Sequence, residues 1–490
     1  MDMPNSAHDI EKALGPESRE DSPSDSRDAT LVDWDGPDDP EMPLNWPNAK
    51  KWKNTLVIAT LTLLTPFASS MFAPAIDQVL DEMDISNRDV GTLAVSVYLL
   101  GYAFGPLFLA PCSEIYGRLI VYHICTVLFI IANVGCALST NMPMLIVLRF
   151  LTGLVGACPL TVGPGSVSDC FRQEERGRAM AVWTMPVLLG PCLGPAVGAY
   201  MSRFKGWRWV FWLLIIMTGA VFILCLVVQK ETHPPTLLKR KTERLKKSTG
   251  SPELRPATER DMSRRQLFKT SFVRPLKMLF LSPIILGLSL LTAVAYGTLY
   301  LLFTTVAQVF QTRYGIVTNV GLVYLGFGAG QFAGLFIFGL VSDAIVKKMA
   351  KDGEMKPEYR LPPMIPGGAM IPIGLLIYGW TVQYGVHWFV PIIGTFLIGF
   401  GMITVFTPVG TYLVDAFSSH AASATAANTV FRSIGGALLP LAGPRMYASL
   451  DQGWGNTLLA AASLGLMGMI VAAMKYGERL RTHPRFQLKL

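Results

Sequence analysis

Charge is what this chain is short of. Of its 490 residues only 16% are charged, while 51% are hydrophobic and the mean hydropathy is +0.40. Soluble domains carry about 25% charged residues, so a water-solvated globule is excluded and lipid is the expected solvent. Paired cysteines are missing too. The seven cysteines, at 112, 125, 136, 158, 170, 192 and 225, lie in or beside apolar runs with no Cys-x-x-Cys spacing. They read as small buried hydrophobes, not as disulfide partners or metal ligands. Six histidines are scattered at 8, 123, 233, 387, 420 and 483, and no His/Cys/carboxylate group has ligand or triad spacing. No catalytic residue, metal or cofactor is therefore expected, and the chain does not read as an enzyme. The net charge of +8 does not indicate nucleic acid, because the basic residues lie between apolar runs and not on a soluble face. No cleavable signal peptide is visible at the N-terminus.

What fills the chain is apolar sequence in long runs. A bilayer core about 30 Å thick needs about 20 apolar residues per helix. Runs of that length occur near 54–76, 90–111, 119–139, 143–168, 178–200 and 208–228, and again near 283–305, 319–341, 362–382, 388–413, 422–442 and 455–474. The expected fold is an all-α membrane protein with twelve transmembrane helices in two six-helix pseudo-repeats, 47–228 and 283–474. Residues 1–46 hold thirteen acids against three Lys/Arg and are expected to form a disordered acidic cytosolic tail. Residues 229–282, with fourteen Lys/Arg against five acids, form a basic cytosolic linker, and 475–490 a second cytosolic tail. With both termini inside, thirty-four of the forty-two Lys/Arg are cytosolic, six are outside, and Arg149 and Arg432 fall within spans. That bias sets the orientation. Trp46, Trp52, Trp207 and Trp209 stand at span ends, where interface anchors belong.

The halves echo each other. The fourth span ends Gly163-Pro164-Gly165 and continues to Asp169 and Phe171; the tenth ends Pro408-Val409-Gly410 and continues to Asp415 and Phe417. Likewise Ala110 to Glu114 after the second span matches Gly339 to Asp343 after the eighth. Parallel six-helix repeats around a midplane site are a transporter plan.

These residues resemble the major facilitator superfamily, and within it the fungal branch of twelve-span drug:proton antiporters. The resemblance is carried by Ser113-Glu114-Ile115-Tyr116-Gly117-Arg118 after the second span and by Leu145, Arg149 and Gly153 in the fourth. It extends to Gly190-Pro191 through Gly194-Pro195 to Gly198 in the fifth, Asn45-Trp46-Pro47, Glu231-Thr232 with Pro235, and Arg432-Ser433 to Ala437. It implies a major facilitator fold in a monomer that exports a drug-like compound or secondary metabolite by alternating access. It also implies proton antiport and a plasma-membrane location, with a small molecule, protons and the lipid bilayer as partners. The first span has no interior carboxylate, Asp77 standing at its end. Uptake of a nutrient or organic acid is the alternative reading, and a non-transporting membrane sensor is the alternative from another class.

Glu114, Gly117, Arg118 and Asp343 are read as gating residues that pair when the inner mouth is shut, the alternative being a solvated basic loop. Gly190, Gly194 and Gly198 recur every fourth residue and leave one helix face bare, which lets backbones touch in lipid. With Pro191 and Pro195 beside them they are read as a hinge or seal, whereas Gly326, Gly330 and Gly334 in the eighth span read as packing. Arg149 and Arg432 each cost about 2.5 to 3.5 kcal/mol inside a span and are kept where they meet a partner or a wet cavity. They are the substrate-cavity candidates, with Gln331, Asn428, Tyr296 and Tyr300; snorkelling to an interface is the alternative. A cavity so lined is positive and is expected to prefer neutral or anionic solutes.

Overall fold

The computed structural model describes residues 30–258, 264–316, 320–349, 356–417 and 421–482. Helices long and apolar enough to cross a bilayer run Asn48–Glu82, Arg88–Tyr116, Arg118–Ala137, Met142–Cys170, Glu175–Lys205 and Arg208–Val228, then Pro283–Tyr314, Val320–Val341, Met364–Gln383, Phe389–Ala416 and Ser423–Leu480. The last spans 58 residues, roughly 87 Å at 1.5 Å per residue and far more than one crossing. It reverses at Asp451, whose φ of 57° and ψ of −179° break the helix. Two crossings result, and the twelve spans expected from the apolar runs are all present.

Local chemistry marks the ends. Asn87 and Asn141 accept from the backbone N–H of Asp89 and Met144 at 2.9 and 3.0 Å, capping the second and fourth spans. Between the second and third spans the chain turns on Gly117 at φ 96°, a backbone conformation that a side chain opposes. The fourth span is interrupted at Ala157, just before Cys158-Pro159.

Within the first half the first span packs on the fifth, the second on the fourth and the third on the sixth. In the second half the seventh packs on the eleventh, the eighth on the tenth and the ninth on the tenth and twelfth. The halves meet where the second span lies along the eleventh and the fifth along the eighth. At the face opposite the linker, Asp89 pairs with Arg445 at 3.1 Å and Ala196 lies against Gly321. Ala103 and Leu107 of the second span cluster with Val430 of the eleventh nearer the linker face.

Two expectations are corrected. Residues 30–46, placed in a disordered tail, are folded onto the linker, while 1–29 lie outside the described residues. Leu31–Val32 pairs in parallel with Arg255–Pro256. Lys241, on the linker helix Pro234–Thr249, binds Asp35 at 2.7 Å and Asp39 at 3.0 Å, and Arg244 binds Glu41 at 2.7 Å. The acidic tail cannot fold alone, but the basic linker supplies the opposite charges it lacks. A second linker helix, Arg264–Leu281, sets Phe268 and Phe272 on Phe108 of the second span, with ring centroids 6.2 and 5.4 Å apart. The tryptophans divide as well. Trp46 and Trp207 are only 6% and 2% exposed, and Trp207 Nε1 donates to Glu82 at 2.6 Å, so both serve the protein interior and not the lipid interface. Trp209 is exposed.

This strap should be insensitive to pH across the physiological range. Burial pushes the Asp39 carboxyl up, but hydrogen bonds from the Asp35 and Glu41 backbones and from Lys241 outweigh it and hold it below its usual 3.8. Its contribution is therefore complete above that value and fades only as pH falls through its own lower pKa. Burial pushes Lys241 down, but Asp35 and Asp39 outweigh it and hold it above its usual 10.5, so its contribution fades only in strong alkali. Energy transfer between dyes at positions 38 and 247 should stay constant from about pH 5 to 9. It should fall at every pH in Asp39→Asn.

Candidate functional site

The two intramembrane arginines solve the same problem in opposite ways. Arg149 is 0% exposed. Its Nε donates to the Ala94 carbonyl at 3.2 Å, Nη1 to Ala68 at 3.0 Å and Nη2 to Ser69 at 3.3 Å. Its guanidinium lies 5.2 and 4.6 Å from the Phe72 and Tyr98 ring centroids. The reason is local: the α-helix of the first span ends at Met71, and the last carbonyls of a helix have no intrahelical donor. Arg149 supplies donors there. It neither lines a cavity nor snorkels, which corrects both readings made from its position in the sequence.

Arg432 is half-buried and lies over Tyr296 and Phe406, 4.9 and 5.6 Å from their centroids. Its Nε is buried with no partner, and among the described residues no carboxylate pairs with it. Tyr296 is half-buried beside it, with its ring 5.0 Å from that of Tyr300. Tyr300 itself is 1% exposed and bonds Ser69 at 2.6 Å, joining the two halves. Asn428 is buried and accepts from Thr292 Oγ1 at 2.7 Å. Gln331 is buried with Oε1 unpartnered. Arg432 and Tyr296 thus keep open surface, whereas Tyr300, Asn428 and Gln331 lie within packed interfaces.

Sequence reading missed Ser69, Phe406, Tyr98 and Tyr102. The Tyr98 and Tyr102 rings are tilted against each other with centroids 5.0 Å apart. A signal for these was present: Tyr98-Leu-Leu-Gly-Tyr102 in the second span and Tyr296-Gly-Thr-Leu-Tyr300 in the seventh share an i, i+4 tyrosine pair, and such residues meet on one helix face.

At the linker face Arg118 is engaged. It binds Asp169 at 3.3 Å and donates to Ser113 Oγ at 2.6 Å. The second half repeats the pair, with Arg360 before the ninth span binding Asp415 at the end of the tenth. Asp169 and Asp415 stand at matching positions of the internal repeat, so both halves carry the same ion pair there. Glu114 is half-buried beside this cluster; Asp343 lies in the helix Val320–Met349, with its side chain outside the described residues. Gly117 has a structural role. A Cβ there would meet Glu231 Oε2 at 2.5 Å, and the buried Glu231 carboxylate accepts from the backbone N–H of Arg118, Leu119, Thr232 and His233 at 2.9, 3.2, 3.0 and 3.0 Å. One carboxylate thus caps the third span and the start of the linker together.

The fifth-span glycines face the first span of their own half. Cβ atoms at Gly190, Gly194 and Gly198 would strike Phe67 N, Ser70 Oγ and the Met71 carbonyl. The helix runs unbroken from Gln173 to Lys205 through Pro186, Pro191 and Pro195. Its other side carries Cys192 against Gly328 of the second half. Gly326, Gly330 and Gly334 pack on Ile392, Phe396 and Phe400 of the tenth span.

A family model described as Major Facilitator Superfamily matches residues 58–440. The chain is 52% identical over 464 residues to the MFS-type transporter penM of Penicillium rubens, covering 94% of this chain and 91% of that one. It is 50% identical over 474 residues to the efflux pump radE of Floropilus chiversii, covering 96% and 88%. Among solved structures, the partially occluded inward open conformation of the E. coli xylose transporter XylE matches with a TM-score of 0.65 at 16% identity, over 88% of this chain and 98% of that one. At that identity the likeness concerns the fold alone.

Two outcomes follow from the geometry. Arg149→Leu removes three charge-assisted bonds, each worth about 1.5 to 3 kcal/mol. It should lower the thermal unfolding temperature of the solubilised protein by about 5 °C or more, and Arg149→Lys should not restore it, since one ammonium cannot span three carbonyls. Arg432→Leu loses no hydrogen bond and should unfold near the wild-type temperature. Gly194→Leu should leave the protein inserted and abolish transport, because the side chain would force the first and fifth spans apart. Normal flux at normal abundance would contradict that contact.

Proposed function

Because the chain belongs to the major facilitator superfamily and is a polytopic membrane transporter, we propose that it exports an organic small molecule, a drug-like compound or secondary metabolite, by alternating access. In keeping with that reading, the face opposite the linker is closed, with Asp89–Arg445 and Ala196–Gly321 tying the halves together there. If the linker face is cytosolic, as thirty-four of forty-two Lys/Arg favour, a solute would be loaded from the cytosol. The printed name of one relative, an efflux pump, supports the same direction. On this reading 47–228 and 283–474 are the two moving halves, both termini and the linker are cytosolic, and the protein acts as a monomer in the plasma membrane. Arg118–Asp169 and Arg360–Asp415 act as inner locks of the two halves, with Glu114 and Asp343 contributing beside them. Arg432 without a carboxylate partner favours neutral or anionic cargo. Proton antiport is the proposed driving force, in keeping with the resemblance.

Inside-out vesicles bearing the protein should accumulate a neutral or anionic organic compound when their lumen is made acid, and accumulation should fall several-fold when a protonophore collapses the gradient. Equal accumulation without the protein would sink export. Accumulation that ignores the gradient would sink antiport and leave export standing.

A further inference from the structure

We propose that Arg432, held by Tyr296 and Phe406, recognises a carboxylate or similar planar acidic group attached to an aromatic ring. The inference deepens the export reading and rests on it only for the direction of travel. A guanidinium carries five N–H donors in a fixed fork and no acceptor. Among the described residues none of those donors meets an oxygen, and Nε is already shut away from other acceptors. Arg149 is the internal control: the same side chain, in the same membrane, with a carbonyl at each of its three nitrogens. The sequence can saturate an arginine when the fold needs it saturated. Arg432 is left with its edge free and its face on two rings.

That arrangement selects shape as well as charge. The Tyr296 and Phe406 rings lie 4.9 and 5.6 Å from the guanidinium carbon, and the terminal N–H groups are left to donate two parallel bonds to a carboxylate, a geometry that a lysine ammonium does not offer. Tyr296 and Phe406 meet edge to face, 6.0 Å apart at 66°, and both are only half-buried. A further ring would complete the same edge-to-face pattern. A saturated ring would keep the ionic contact and lose that fit, and a cationic group would meet an uncompensated like charge.

The test uses the full-length protein in lipid nanodiscs and calorimetric titration with four probes: 2-naphthoate, its saturated counterpart decahydro-2-naphthoate, neutral 2-naphthamide and 2-naphthylmethylammonium. The naphthoate should bind tightest and the ammonium should not bind. Arg432→Gln should weaken the naphthoate by about tenfold or more while leaving the amide within about twofold, and Arg432→Lys should fall between. Phe406→Leu should narrow the gap between naphthoate and its saturated counterpart. A purely structural arginine would instead lower the unfolding temperature and leave the probe ranking unchanged. Unchanged naphthoate binding in a folded Arg432→Gln protein, equal binding of the ammonium, or no binding of any probe would overturn the proposal. Binding as expected with no export in vesicles would keep this site and overturn the export reading.

Discussion

The carbonyls at the end of the first helix are the point on which much of this structure turns. Where the α-helix stops at Met71 there is no water to satisfy the last C=O groups, and an unsatisfied backbone group in hydrocarbon costs several kcal/mol. Arg149 answers from the fourth span, reaching Ala68 and Ser69 while also holding Ala94 of the second. One side chain thereby ties three helices of the first half. Its own desolvation is offset by three oxygens and two ring faces, so the clamp is expensive to break and contributes to keeping the half one body. The same short segment presents Ser69 to Tyr300 of the other half. A demand that begins as backbone bookkeeping ends as a contact between the moving parts.

Residues 66–71 are also gripped from behind. Gly190, Gly194 and Gly198 put bare backbone against Pro66 to Met71, a packing mode that suits lipid, where close van der Waals contact and not the hydrophobic effect draws helices together. Because that face is committed to its own half, the fifth span is free to offer its other side, Cys192 and Ala196, to Gly328 and Gly321 of the second half. One helix therefore packs one side within its own half and the other on the second half. The glycine pattern in the sequence indicated close approach but not to which partner, since the spacing of small residues says nothing about what lies opposite.

Legibility followed the same division. The twelve spans and two halves were readable because lipid imposes length and polarity on every helix, and the break at Asp451 separates the last two of them. The acids Asp169 and Asp415 stood out as a repeat and Arg118 as a gating residue, yet that Arg118 meets Asp169 and Arg360 meets Asp415 was not readable, because ion pairs between helix ends depend on how helices lean. Folding of residues 30–46 was invisible for a related reason. Local composition measured the acidic tail without the basic linker some two hundred residues away, and Lys241 is the charge that makes Asp39 tolerable in a covered position. Above all, Arg149 and Arg432 looked alike in sequence, since each is one charge in an apolar run. Only the third dimension distinguishes a helix terminus that needs donors from a ring pair that leaves donors over.

That surplus at Arg432 has a consequence for the transport cycle. If the halves close around Arg432 as proposed above, a charge without a partner moves toward low dielectric, and the insertion cost of about 2.5 to 3.5 kcal/mol for such a charge corresponds to roughly a hundredfold bias against the occluded form. An acidic solute bound at the free edge brings the missing charge with it. On that proposal the loaded form would close around a neutral, hydrogen-bonded pair at far lower cost. A ligand shifts a conformational equilibrium only by its differential affinity for the two states. Under the proposal above, that differential would come from one arginine that meets no carboxylate among the described residues.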